Sequence, residues 1–283
     1  MMLRRDPEAI IAAFELDPER RVLYVEGTSD QAFFNWLTKK SLNSNSMVSC
    51  IDEVNLPATG SDDSGGNRGR LLRFLMQVQN EGVSIAGFVD KDQDHLLGNE
   101  SSLANVFYTD FRDRESYVFF EENLDTALRM GVGLPTVEAS ELLKSTFETS
   151  LKLAAIRLVS EKRKLKLPVS STNWDKHVTA RKGIVQAVDL DRIVNQLFQQ
   201  ANHSLKQKKS VLGEVLSTVE ALSKYDPRQV VHGKDTMRIL DRQFKSLRVK
   251  VDDVSIVLKA TFRPELISSF PNLRAAVDFL VSV

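Results

Sequence analysis

A chain of 283 residues has room for one large domain or two modest ones, and its formal charge of zero gives no global field to draw in a polyanion. Apolar residues at 42% and charged residues at 27% are ordinary for a globular protein, and the single cysteine, Cys50, excludes a disulfide framework and a Cys-rich zinc site. The start lacks a signal-peptide apolar run and no stretch approaches the roughly 18 apolar residues of a membrane span, so the expected compartment is a reducing cytoplasm, with no membrane partner.

Asp6-Pro7-Glu8 supplies an N-cap, a first-turn proline and an early acid, which predicts a short opening helix through Phe14. A strand is expected over residues 21–26, where Val22 to Val25 is β-branched and aromatic without polar alternation, the pattern of a strand buried on both faces. After Gly27 the spacing of Ala32, Phe33, Trp36 and Leu37 predicts a helix to about residue 40, and a second strand is expected over residues 47–56. Residues 59–69, rich in glycine and small polar side chains, read as a mobile loop. A helix over residues 70–80 and a strand over residues 83–89 follow, then an acidic turn, Asp90-Lys91-Asp92-Gln93-Asp94, and a strand over residues 106–108. This order predicts an α/β unit with a mainly parallel, Rossmann-like sheet. A helix over residues 121–130 ends it near Gly131 and Gly133.

Beyond residue 134 strand signals give way to long helical patterns over residues 140–158, 183–201, 211–222, 235–247 and 273–281. The expected division is a catalytic α/β domain over residues 1–134 and a mostly helical part over residues 135–283, for substrate, dimer or partner contacts.

The chemistry concentrates where the two buried strands end. Ligand sites of open α/β sheets lie at the carboxyl ends of their strands, which puts Glu26, Asp90 and Asp92 at one sheet edge. Three such carboxylates would repel one another and rise in pKa unless a cation neutralised them, and hard oxygen donors suit Mg²⁺ or Mn²⁺. Taken singly, each acid has a plain structural reading: Glu26 as a cap on the following helix, the aspartates as ordinary turn residues. A calcium loop is excluded, because the glycine and distal glutamate of an EF-hand are missing.

Val25-Glu26-Gly27-Thr28-Ser29-Asp30, followed by Ala32-Phe33-Phe34 and then by Asp90-Lys91-Asp92, resembles the glutamate and DxD motifs of the TOPRIM fold of topoisomerases, bacterial primases and overcoming-lysogenization-defect nucleases. Tyr108-Thr109-Asp110 to Arg114-Glu115-Ser116-Tyr117 is similar to a third motif in TOPRIM-like nucleases of bacterial defence islands, the effectors of PARIS anti-phage systems among them. The resemblance covers roughly residues 20 to 125, with a weaker echo at His232-Gly233-Lys234-Asp235. It implies that Glu26 is the catalytic glutamate, Asp90 and Asp92 are metal-binding aspartates, Asp30 is an additional acid and Glu115 is the acid of the third motif. It further implies nucleic-acid cleavage, of RNA and tRNA in particular, and an ABC-type ATPase partner that holds the nuclease inactive until infection is sensed.

From the residues alone, phosphodiester hydrolysis needs a positioned water, a polarised phosphate and a stabilised leaving oxygen, which carboxylate-held metal can supply. Glu115 is a candidate ligand to a second metal. Arg68 and Arg70 flank the glycine loop and are candidates for substrate phosphates, with a solvated helix face the other reading. Lys234 precedes a helix, where its ammonium could meet a phosphate or a leaving oxygen; a structural helix start reads equally well. A homodimer would permit paired cuts. No P-loop lysine motif and no nucleophile elbow occur. The alternatives are a DNA endonuclease of the overcoming-lysogenization-defect type and a non-catalytic subunit that keeps the fold to bind an ATPase.

Overall fold

The computed structural model describes residues 4–39, 41–42, 44–56, 66–134, 136–248 and 254–281. Most of the glycine-rich stretch expected as a mobile loop lies outside them. The chain forms two compact units, Met1–Asp110 with Arg263–Val283, and Phe111–Phe262. Residues 111–134, expected with the first part, therefore belong to the second unit, and residues 263–283, expected with the second, to the first.

In the first unit α1 (Pro7–Leu16) leads to β1 (Arg21–Val25), α2 (Thr28–Thr38), β2 (Ser46–Cys50), α3 (Gly66–Val78), β3 (Ile85–Val89), the short α4 (Asp94–Leu97) and β4 (Val106–Tyr108). The four strands make one wholly parallel sheet in the order β2-β1-β3-β4, with Val25 beside Cys50 on one flank and Phe88 on the other. Val22 to Val25 and all of β3 are buried, as their unbroken apolar runs require. Alternation sorts the side chains between two faces. Val22 and Tyr24 share a core with Ile10 and Phe14 of α1 and Leu71, Phe74 and Leu75 of α3. On the opposite face Phe34 of α2 stands edge-on to Phe88, 4.9 Å between centroids, and Phe279 of the C-terminal helix (Pro271–Val281) stacks on Phe107 at 6.1 Å. Helices thus cover both faces, as parallel sheets demand. Gly87 lets α3 approach β3, since a Cβ there would lie 2.3 Å from Leu75 Cδ1.

Three boundaries differ from the sequence reading. The second strand stops at Cys50 and turns into a single 3-10 turn, Ile51–Glu53. α3 begins at Gly66 and takes in Gly69, so packing overrides the low helix propensity of glycine. The strand expected from residue 83 begins at Ile85.

The second unit opens with a 3-10 turn, Arg114–Val118, and α5 (Glu121–Thr126), which runs into a π turn at Ala127–Gly131. Its spine is α6 (Ala139–Lys162). The helix expected over residues 183–201 is corrected: β5 (Val178–Arg181) and β6 (Ile184–Val188) form an antiparallel hairpin, and only α7 (Leu190–Gln200) is helical. The hairpin turns on Lys182 and Gly183, both at positive φ (51° and 82°), the geometry of a tight two-residue turn. α8 (Lys208–Leu222), α9 (Pro227–Val230), α10 (Gly233–Ser246) and α11 (Val254–Ala260) complete the unit. α10 is tied to α6 by Gln243, whose amide donates to Ser145 Oγ at 2.7 Å, and by the buried pair of Arg157 with Asp235 at 2.8 and 3.0 Å.

Candidate active site

The sheet order fixes where a ligand would sit. From β1 the chain moves outward to β2; from β2 it crosses back over β1 to β3, so β1 and β3 are the adjacent strands at which the winding reverses. The crevice beyond the carboxyl ends of such a pair is the binding place of doubly wound sheets. Glu26 follows β1 and Asp90 follows β3.

The two are joined directly. Glu26 Oε1 accepts a hydrogen bond of 3.2 Å from the backbone N–H of Asp90. The acidic turn is anchored on its far side by Thr109, fully buried at the end of β4, whose Oγ1 accepts from Lys91 N at 2.9 Å. Asp92 takes a left-handed conformation at φ 51°, which aspartate tolerates, and the chain then enters α4. Asn67 of α3 holds the rim, donating to the Glu26 carbonyl at 2.8 Å. Burial pushes the Glu26 carboxyl up to about 7; the Asp90 N–H opposes that rise, Asp92 and Asp30 add to it, and Arg68 lowers it.

Arg68 is the cation of this turn. Its Nε donates to the Asp90 carbonyl at 3.1 Å and lies 3.8 Å from Asp92 Oδ2, while its Nη2 pairs with Asp94. Among the described residues no three His, Cys, Asp or Glu side chains form a group that would hold a metal ion as they stand. A guanidinium spans the turn instead.

The remaining expected residues are distributed as follows. Asp30 turns its Oδ2 back to the Gly27 N–H at 3.1 Å, closing the first turn of α2. Arg70, expected at substrate, is tied to Asp52 Oδ1 at 3.0 Å and to the Val54 carbonyl at 3.0 Å, which fastens α3 to the turn after β2. Asp110 caps the C-terminal helix, accepting from Asn272 N at 2.9 Å and Leu273 N at 3.0 Å. Glu115 and Lys234 lie in the second unit, where both line one groove.

They meet there because Asp113 joins their segments. Its buried carboxylate accepts from Ser116 N at 3.2 Å, Ser116 Oγ at 2.8 Å and Gly233 N at 2.6 Å. A Cβ at Gly233 would come within 2.4 Å of Glu115 Cβ and 2.6 Å of Asp113 Oδ1, so only glycine fits this contact. Burial pushes Asp113 up to about 6, and Glu115 adds to the rise; the Gly233 N–H, Arg112 and Ser116 oppose it. The sequence does not single out Asn67, Asp94 or Thr109 as site residues; Asp94, inside the acidic turn, and Thr109, inside the third motif, carry a signal, and Asn67 carries none. No protein-family model matches the chain, and no curated protein matches it.

Proposed function

We propose that the chain is a metal-dependent nuclease of TOPRIM type, hydrolysing phosphodiester bonds at the rim formed by Glu26, Asp90 and Asp92. The observation that carries the reading is the hydrogen bond from Asp90 to Glu26 across the two strands where the winding reverses. The donors fit a divalent ion in kind: they are hard carboxylate oxygens, and the partly buried Glu26, held near 7, lacks the full counter-charge that would keep it ionised. Glu26, Asp90 and Asp92 would hold the ion, with Asp30 beside them; Arg68, which donates to the Asp90 carbonyl, would have to leave the turn. A bound Mg²⁺ or Mn²⁺ would polarise the scissile phosphate and acidify the attacking water. Without an ion Glu26 sits at about 7, so binding one would release its proton near neutral pH. Arg68, released from the turn, would be placed to meet a phosphate.

The resemblance favours RNA, tRNA in particular, as substrate, an ABC-type ATPase as the restraining partner, and a homodimer as the active form of a PARIS-type effector. A second reading, a non-catalytic subunit of such an ATPase complex, is favoured by one observation: Arg68 already neutralises the acidic turn as a structural ion pair would. The two separate on incubating the purified chain and Mg²⁺ with tRNA, other RNA and plasmid DNA beside Glu26→Ala. Cleavage by the native chain alone supports the nuclease; cleavage that survives in a Glu26→Ala, Asp90→Ala double variant refutes it. Calorimetric titration with Mn²⁺, showing a site lost in Asp92→Ala, gives the same answer without a substrate.

A further inference from the structure

The second unit carries a groove of about 510 Å³ whose charges do not cancel. Arg238 pairs with Asp175 at 2.6 Å, Lys245 with Asp241 at 2.5 Å, and Glu115 with Arg114 at 3.5 Å. Lys234 and Lys259 also line the groove, and neither ammonium has an ion pair or hydrogen bond with any described residue. Both lysines are exposed, so their mutual repulsion is screened by water, and together they offer two cations to one anion. Met237 and Val254 provide an apolar wall in the same groove.

The feature continues along α10. Lys234, Arg238, Arg242 and Lys245 recur at intervals of four, four and three, one flank of the helix, opposite the buried flank of Ile239, Leu240 and Phe244. A second groove of about 380 Å³ shares Lys245 and adds Lys176, which is likewise without a side-chain partner. From Lys234 to Lys245 the helix advances about 16 Å at 1.5 Å per residue. That length accommodates about five nucleotides at the roughly 3.4 Å rise of a stacked strand.

We infer that this flank of α10 is a track for the sugar-phosphate backbone of a single-stranded nucleic acid, with Lys234 and Lys259 clamping a phosphate and Met237 and Val254 receiving a base. The inference rests on the reading of the protein as acting on nucleic acid, but it concerns contacts that need no metal. It also gives the net-neutral chain the local basic patch that its composition demands of any polyanion binder.

The test uses the full chain in EDTA, where cleavage is silenced, and a fluorescein-labelled twelve-nucleotide single-stranded RNA. Lys234→Gln with Lys259→Gln is compared with Lys206→Gln with Lys209→Gln, two exposed lysines outside the groove. The groove variant is expected to bind about tenfold or more weakly, with a salt slope shallower by about 0.7, the value for one phosphate contact on a single strand. Its melting temperature is expected to match the native one, since neither exposed lysine has an ion pair or hydrogen bond among the described residues. Binding within twofold of native, an equal loss in the control pair, or no binding by the native chain overturns the inference. Displacement of the RNA by polyglutamate as readily as by unlabelled RNA also overturns it, in favour of an acidic protein segment. A native chain that binds in EDTA yet cuts nothing in Mg²⁺ upholds the track and removes the proposed nuclease.

Discussion

Glu26 and Asp113 are both carboxylates withdrawn from water, and both are pushed upward in pKa, yet they are built differently. Asp113 accepts three hydrogen bonds, from Ser116 N, Ser116 Oγ and Gly233 N, and a glycine leaves no space around it. Among the described residues the Glu26 carboxylate accepts one, from Asp90 N, and it stands among the like charges of Asp92 and Asp30. A buried acid whose lone pairs are filled serves as a joint, whereas one left short of donors at a strand end has capacity for a ligand.

The largest effect that would sharpen this contrast is on turnover. Glu26→Ala should lower cleavage at least about a thousandfold, on the order of 4 kcal/mol of barrier, with an unchanged circular dichroism spectrum; turnover within tenfold of native would erase the distinction. Asp113→Ala should act on the fold instead, at about 3 kcal/mol, because it leaves the Gly233 N–H and the Ser116 hydroxyl without their acceptor in the interior. Urea titration measures that loss, and a midpoint equal to native would show that the joint carries nothing.

Next comes the pH dependence of Glu26. Its folded pKa of about 7 lies above the ordinary value of 4.5, so it contributes stability that is present below 4.5 and lost as pH rises through 7. Without divalent ions Glu26→Gln should match the native chain at pH 4 and exceed it by about 1–2 kcal/mol at pH 8, a figure reduced for the partial exposure of the rim. Comparing the two proteins at each pH removes the contributions of Asp113, pushed to about 6, and of His232, which burial holds down at about 4. Added Mg²⁺ should close the gap at pH 8 by stabilising the native chain, and a gap of the wrong sign would end the account of Glu26. The smallest effect is at Asp110: its replacement by alanine should cost about 1 kcal/mol, as for a lost helix cap, and leave metal and RNA binding as they were.

What the sequence disclosed, and what it hid, follows from the range of the forces involved. β1 and β3 were legible because burial on both faces leaves an unbroken apolar run, and Glu26 and Asp90 because they end those runs. The hairpin at Val178–Val188 was missed although Lys182-Gly183 between β-branched segments is a turn signal; the helical spacing of Leu190 to Phe198 was extended back over it. The ties of Arg68 to Asp90, Asp92 and Asp94 are not legible, because they are set by the crossing from β2 to β3, which no local pattern encodes. The Asp113–Gly233 joint spans 120 positions and left only a glycine as its trace.

The helix Pro271–Val281 lends its Phe279 ring to Phe107, and its backbone carbonyl at that residue to the Arg21 guanidinium, 3.2 Å away. On the ribosome, therefore, the parallel strands emerge with one face covered only in part, by α2, and wait through some 160 further residues for the rest of their cover. A cell translating this chain has no finished sheet until that helix has emerged, and a nonsense codon near position 265 would abort the sheet itself rather than trim an appendage.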